Sequence, residues 1–333
     1  MNFSNKTILV TGGTGSFGKN FIKYILQKFN FKKVVIFSRD ELKQFEMKKE
    51  LSKNKKFDTL RFFLGDIRDK DRLSFALKNI DFVIHAAALK QVDSAEYNPT
   101  EYIKTNIIGS QNLIEESIKN NIKKLVALST DKASSPINLY GATKLCADKI
   151  FLASNNFYGK STFSVVRYGN VNSSRGSVIP FFLEQSKTGM LTITEKNMTR
   201  FSISLNASIE LVIFALKNLL GGEILVPRIK SYNIMDLANT IGPRCKIKFI
   251  GKRPGEKLHE ELISANDDSM KIQMRDKFIL INKNRYNQYK KIIKKFNGRV
   301  LDNSFSFTSD KNSFLSKKEI KKMIASDFIK NKS

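Results

Sequence analysis

Six short runs rich in β-branched or aromatic residues recur through the first half of the chain: TILV, VVIFS, LRFFLG, DFVIHAA, KLVALS and FSVVRYG. Between them lie polar-apolar segments at 18–30, 41–54, 69–79, 97–120 and 140–157, each long enough for a helix that crosses a sheet. Continuous apolar runs suit strands buried on both faces, and helical connections suit parallel pairing. The alternation therefore predicts an α/β fold, a doubly wound parallel sheet of the Rossmann type. Past residue 170 the pattern loosens into SSRGSVIPFF, TRFSISL and GKRPGEKLHEEL, which read as loops and short elements. We expect a dinucleotide-binding domain over 1–169. Residues 170–333 would form mainly a smaller substrate-binding domain, part of which returns to the sheet.

The first strand runs into TGGTGSFG, residues 11–18, which opens the helical segment GKNFIKYILQKF. Glycines at 12, 15 and 18 permit a tight turn, close approach of backbone to a pyrophosphate, and close packing of helix on strand. Gly12, Gly15 and Gly18, with Thr14, Ser16 and Phe17 of the same turn, are candidate cofactor-binding residues. The second strand ends at Ser38 and Arg39, where an NAD enzyme would place an acid for the ribose 2′-hydroxyl and an arginine can instead pair with a 2′-phosphate. NADP is the expected cofactor, with Asp40 as the reason to keep NAD open. Asp66 and Ile67 end the third strand and would meet the adenine. Ala86, Ala87 and Ala88 end the fourth and are small enough for the cofactor to approach.

Composition narrows the function classes. The chain has 333 residues, 41% hydrophobic and 27% charged, and no apolar stretch of membrane-spanning length; LVIFALKNLL, the longest candidate, contains Lys217. The first apolar run begins at Thr7, which leaves no room for the regions of a signal peptide. Cys146, Cys245, His85 and His259 make neither a disulfide framework nor a ligand set at metal spacing. A cytoplasmic, metal-free protein with no membrane contact is expected. The net charge of +27 invites nucleic acid, but 13 arginines stand against 45 lysines spread along the chain. Arginine is the residue suited to planar phosphate and base recognition, so an acidic small-molecule substrate is the better expectation, with no nucleic-acid partner.

Tyr140 and Lys144 stand four residues apart in NLYGATK and would share one helix face. A neighbouring ammonium together with an oxidised nicotinamide would lower the phenol toward working pH and make Tyr140 a base for a hydroxyl proton. Thr130, Asp131 and Lys132 precede them in LSTDKA. Such a triplet at a strand end can equally be a turn cap with a surface lysine.

The segments SRDELKQ, FFLGDIRD, HAAALKQVDSAEYNP, LSTDKA, NLYGATK, VVRYGNV, SRGSVIPFF, MTRF and RPGEKLHE occur in that order. Together with the glycine turn and Asn106 in KTNIIG, they resemble the extended short-chain dehydrogenase/reductases that act on nucleotide sugars. More narrowly they are similar to the inverting UDP-N-acetylglucosamine 4,6-dehydratases that begin pseudaminic acid synthesis for flagellin glycosylation. The resemblance implies that Tyr140 takes the C-4 hydroxyl proton as hydride leaves for NADP, and that Lys132 removes the C-5 hydrogen. It further implies that Asp131 protonates the departing C-6 hydroxyl, that Thr130 bonds the C-4 oxygen, and that Lys144 holds the nicotinamide ribose. Burial would keep Asp131 protonated and Lys132 at least partly neutral. Asn106 and Lys90 fall to the cofactor by the same resemblance. Lys90, Asn170, Arg200, Arg253 and Glu256 fall to the UDP-sugar, since arginines suit a diphosphate and a carboxylate a ribose diol. The product would be UDP-2-acetamido-2,6-dideoxy-β-L-arabino-hex-4-ulose, and a homo-oligomer, dimer or hexamer, is implied. Asn172, Ser173 and Ser202 depart from the pattern at what would be the substrate edge. Alternatives are a retaining 4,6-dehydratase, a UDP-sugar 4-epimerase, and a non-catalytic NADP-binding regulator.

Overall fold

The computed structural model describes residues 2–156, 160–172 and 177–326. Six strands, β1 (Thr7–Thr11), β2 (Lys33–Ser38), β3 (Leu60–Leu64), β4 (Phe82–His85), β5 (Lys124–Thr130) and β6 (Thr162–Tyr168), lie parallel in the order β3-β2-β1-β4-β5-β6. This is the doubly wound arrangement that the alternation predicts, with its switch point between β1 and β4. Among the described residues the sheet has ten strands, because the second half of the chain returns to it. Glu223–Pro227 continues the parallel run beside β6, and Lys277–Ile281, Met270–Gln273 and Arg299–Val300 add an antiparallel edge.

Alternation along β1 explains the layers. Ile8 and Val10 face one core with Phe21, Ile22 and Ile25, while Leu9 faces the other with Val35, Leu73 and Leu113. Phe21, Ile22 and Ile25 come from α1 (Ser16–Lys28) on one face, and Leu73 and Leu113 from α3 (Lys70–Ala76) and α6 (Gly109–Lys119) on the other, beside Val35 of β2. Each fully buried apolar side chain contributes about 1.5–3 kcal/mol of burial, so both faces must be covered. The connections also include α2 (Glu41–Leu51), α4 (Val92–Tyr97), α5 (Pro99–Tyr102) and α7 (Leu139–Ala153).

The segment expected as one helix over 97–120 is broken by a π turn, Ile103–Ile108, between α5 and α6. A third core, around Phe182, Leu191, Ile193, Tyr232, Leu237 and Ile320, lies outside the sheet. Among the described residues no helix is long and apolar enough to cross a membrane.

Candidate active site

One cleft of about 1660 Å³ runs from the glycine turn, past the ends of β4, β5 and β6, to the third core. Single-ligand pockets are typically about 300–1,000 Å³, so this cleft has room for two.

At one end the fit to a dinucleotide can be tested atom by atom. Gly12 has φ +64°, and a Cβ there would lie 2.8 Å from the Ala86 and Ala87 backbone. A Cβ on Gly18 would lie 2.5 Å from the Gly12 carbonyl. The turn is thus closed to larger residues at both points. Helices α2, α3 and α7 are capped by the side chains of Asp40, Asp69 and Asn138, whereas α1 starts at Gly15 with no side-chain cap and no acid in its first turn. Its first N–H groups and positive dipole end are left for an anion. Thr14, Gly15, Ser16, Phe17, Gly18, Ser38, Arg39, Asp66, Ile67 and Ala86, Ala87 and Ala88 line the same cleft. Asp40 accepts from Lys43 N (2.9 Å) and pairs with Lys43 Nζ, while Arg39 is exposed with its guanidinium 3.6 Å from Asp66. Asp66 is itself held by Arg68 Nη2 at 2.7 Å.

Asn106, expected beside the cofactor, is not among the residues that line the cleft. It sits in the π turn, accepts from Leu89 N (2.9 Å), donates to Leu89 O (2.9 Å) and reaches Thr143 Oγ1 (3.1 Å). Its amide is consumed in pinning the loop after β4 to α7, so its place is positional. His85, which sequence reading weighed only as a metal ligand, bridges Thr11 Oγ1 (2.8 Å) and Ser110 Oγ (3.3 Å). Burial and the nearby Lys144 ammonium push it down to about 3, so it is neutral.

Past the cofactor end, β5 delivers Thr130 and runs into a 3₁₀ turn, Asp131–Ala133. Thr130 Oγ1 donates to Asp131 Oδ1 (2.9 Å) and accepts from Lys132 N (3.3 Å), so the triplet caps its own turn while Thr130 and Lys132 also line the cleft. Lys132 Nζ meets Asp131 Oδ1 at 3.1 Å, Glu260 Oε1 at 3.2 Å and Asn170 Oδ1 at 3.3 Å. Asp131 is fully buried and its Oδ2 has no hydrogen-bond partner among the described residues. Burial, helped by Glu260, raises the Asp131 acid above its ordinary value against the pull of Lys132.

One electrostatic expectation is corrected here. Burial alone would lower Lys132, but the Asp131 and Glu260 carboxylates outweigh it and hold the lysine above its ordinary value, as an ammonium. The protein's own groups push Tyr140 up to about 12, burial outweighing the Lys132 charge and a hydrogen bond with Thr130. Lys144 donates to Leu128 O (2.8 Å), and burial lowers it against the pull of Asp148.

On the far side Arg200 is buried. Its Nη1 donates to Thr199 O (2.7 Å) and Leu258 O (3.0 Å), and its Nη2 to Lys257 O (3.0 Å). Three main-chain carbonyls thus hold it, and it fastens the segment that carries Glu256 and Glu260. Glu256 stands 3.6 Å from Arg200 and accepts from Thr194 Oγ1 at 3.4 Å. Arg253 is exposed at the cleft, and Lys90 lines it opposite, held below its ordinary value by burial and by Lys132. Asn172 and Ser202, expected to touch the substrate edge, are outside the cleft lining and bond each other, Ser202 Oγ to Asn172 Oδ1 at 3.1 Å. Ser173 lies outside the described residues.

The sequence profile of the polysaccharide biosynthesis protein family matches residues 8–282. The chain belongs to that family. It is 46% identical to the inverting UDP-N-acetylglucosamine 4,6-dehydratase of Campylobacter jejuni, over 97% of this chain and 98% of the relative. It is 43% identical to the UDP-glucose 4-epimerase of Rickettsia akari, over 80% of each. Among solved structures, Pen from Bacillus thuringiensis superposes with a TM-score of 0.89 at 37% identity, covering 98% of this chain and 99% of that one.

In this family member, sequence reading missed Glu260, which is 2% exposed and lines the cleft. RPGEKLHE carries it, but nothing in local spacing ties residue 260 to residue 132.

Proposed function

We propose that this protein removes water from UDP-N-acetylglucosamine across C-5 and C-6, using bound NADP as a recycled hydride carrier. The observation that carries the reading is the 3.1 Å hydrogen bond between Lys132, which lines the same cleft as Tyr140, and the fully buried Asp131. A 4-epimerase needs the tyrosine and the lysine of α7 but no adjacent acid and base for elimination.

A nicotinamide bound at the glycine turn would supply the acceptor for the C-4 hydride and the store from which C-6 is reduced. Tyr140 would take the C-4 hydroxyl proton as a phenolate, its own proton having gone to solvent once the Lys144 ammonium and an oxidised nicotinamide bring the phenol down; Thr130 is hydrogen-bonded to it. Passing one proton from Lys132 Nζ to Asp131 Oδ1 turns the resting ion pair into a neutral amine and a carboxylic acid, without changing the net charge of the cleft. The amine then takes the C-5 proton, the C–H electron pair becomes the C-5–C-6 double bond, and the C-6 oxygen leaves as water with the Asp131 proton. A planar C-5 can be reprotonated on either face, and the similarity to the inverting dehydratase favours inversion and the L-arabino product. Arg253 suits the diphosphate and Glu256 a ribose diol, while Arg39 beside the Asp40 cap favours NADP over NAD.

Incubation with UDP-N-acetylglucosamine in deuterium oxide, followed by NMR, tests the reading. One deuteron at C-5 with inverted coupling to its ring neighbours is expected. An early product purely of the D-xylo configuration leaves a retaining dehydratase, and 4-epimerised sugar with no 4-keto product overturns the elimination.

A further inference from the structure

Glu260 touches Lys132, yet the elimination above gives it no task. It precedes the strand Glu261–Ile263, and its main chain is pinned by Ser309, Glu260 N donating to Ser309 Oγ (2.9 Å) and Ser309 N to Glu260 O (2.8 Å). Its side chain is therefore aimed by the fold. Burying a carboxylate is expensive unless partners compensate. Glu260 Oε1 has Lys132 Nζ at 3.2 Å and Arg200 Nε at 3.7 Å, while Oε2 is buried without a hydrogen-bond partner among the described residues.

An ammonium has three N–H donors, and Lys132 meets three acceptors on three separate segments. Asp131 follows β5, Asn170 follows β6, and Glu260 comes from the C-terminal part of the chain. We propose that Glu260 is the positioning residue for Lys132, a buried anion that aims Nζ and balances the proton shared by Asp131 and Lys132. The inference rests on Lys132 being the C-5 base.

The surroundings give this anion its weight. Arg200, Lys90 and Lys257 bring positive charge toward Lys132. Tyr140 and Tyr232 face it as phenols that burial pushes up to about 12. Asp131 and Glu260 are the groups that raise Lys132, and Glu260 also raises Asp131. One charge thus makes the lysine a stronger base and keeps the proton on the acid.

The test is the pH dependence of kcat and of C-5 deuterium uptake, measured on the full enzyme with UDP-N-acetylglucosamine. Glu260→Gln keeps the shape and an acceptor oxygen but removes the charge. The acid limb of kcat should move to lower pH by about one unit or more, with KM changed less than about threefold. Glu260→Asp keeps the charge but shortens the reach: its limb should stay in place while kcat falls about tenfold. If Glu260→Gln does not fold, the aspartate variant decides alone, and an unchanged kcat overturns the inference. An equal loss of kcat at every pH in Glu260→Gln, or a rise in KM alone, overturns it as well. Lys132→Ala in the otherwise native enzyme separates the two layers, because deuterium uptake surviving there removes the base assignment itself, whatever the Glu260 variants do.

Discussion

Arg39 and Asp40 are neighbours with opposite charge, and read as letters they argue for different cofactors. Both line the cleft, but Asp40 caps α2 and pairs with Lys43, whereas Arg39 is exposed with its guanidinium 3.6 Å from Asp66. A carboxylate committed to a cap has little left for a ribose hydroxyl. Arg39→Ala is therefore expected to weaken NADP binding about tenfold or more, the scale of one charge-assisted contact, and NAD binding much less. Titration with both dinucleotides checks this, and equal losses would place Arg39 outside the 2′-phosphate contact. Asn172 and Ser202 give the same lesson. Each departs from the expected pattern when read singly, yet they are hydrogen-bonded partners 30 residues apart in the chain.

Among the elements, the π turn between α5 and α6 has the clearest consequence. An extra residue per turn at functional sites usually re-aims a side chain, and here it turns Asn106 onto the Leu89 main chain. Asn106→Ala leaves both polar groups of Leu89 without that partner. A partly buried group so orphaned costs about 1–3 kcal/mol, and the loop carrying Ala86, Ala87 and Ala88 would loosen. We expect a lower thermal midpoint together with weaker dinucleotide binding. Unaltered stability in a thermal melt would show that the clamp carries no energy.

For the whole molecule, the return of the chain to the sheet buries an acid. Glu223 begins the strand beside β6, is fully buried, and accepts from Leu220 N (2.6 Å) and Ser164 Oγ (3.2 Å). Burial raises its carboxyl above the ordinary 4.5 despite these bonds. A raised acid binds its proton more tightly in the folded state, so stability falls as pH climbs from the unfolded value through the folded one. Glu223→Gln has no such proton to lose, and its stability relative to the native chain should improve between pH 4.5 and neutrality. Denaturant melts across that range check the sign, and a constant difference would mean that Glu223 does not titrate there. The parallel sheet, the glycine turn and the Tyr140–Lys144 helix face were legible in the sequence, because hydrophobic period, steric freedom at glycine and i,i+4 spacing are local properties. Protonation and partnership were not. The ammonium state of Lys132 depends on a carboxylate 128 positions away, Arg200 is taken up by carbonyls of 257 and 258, and Asn106 is turned by a helix irregularity. Electrostatic fields and buried hydrogen bonds act through space, so only the folded chain decides which charges meet.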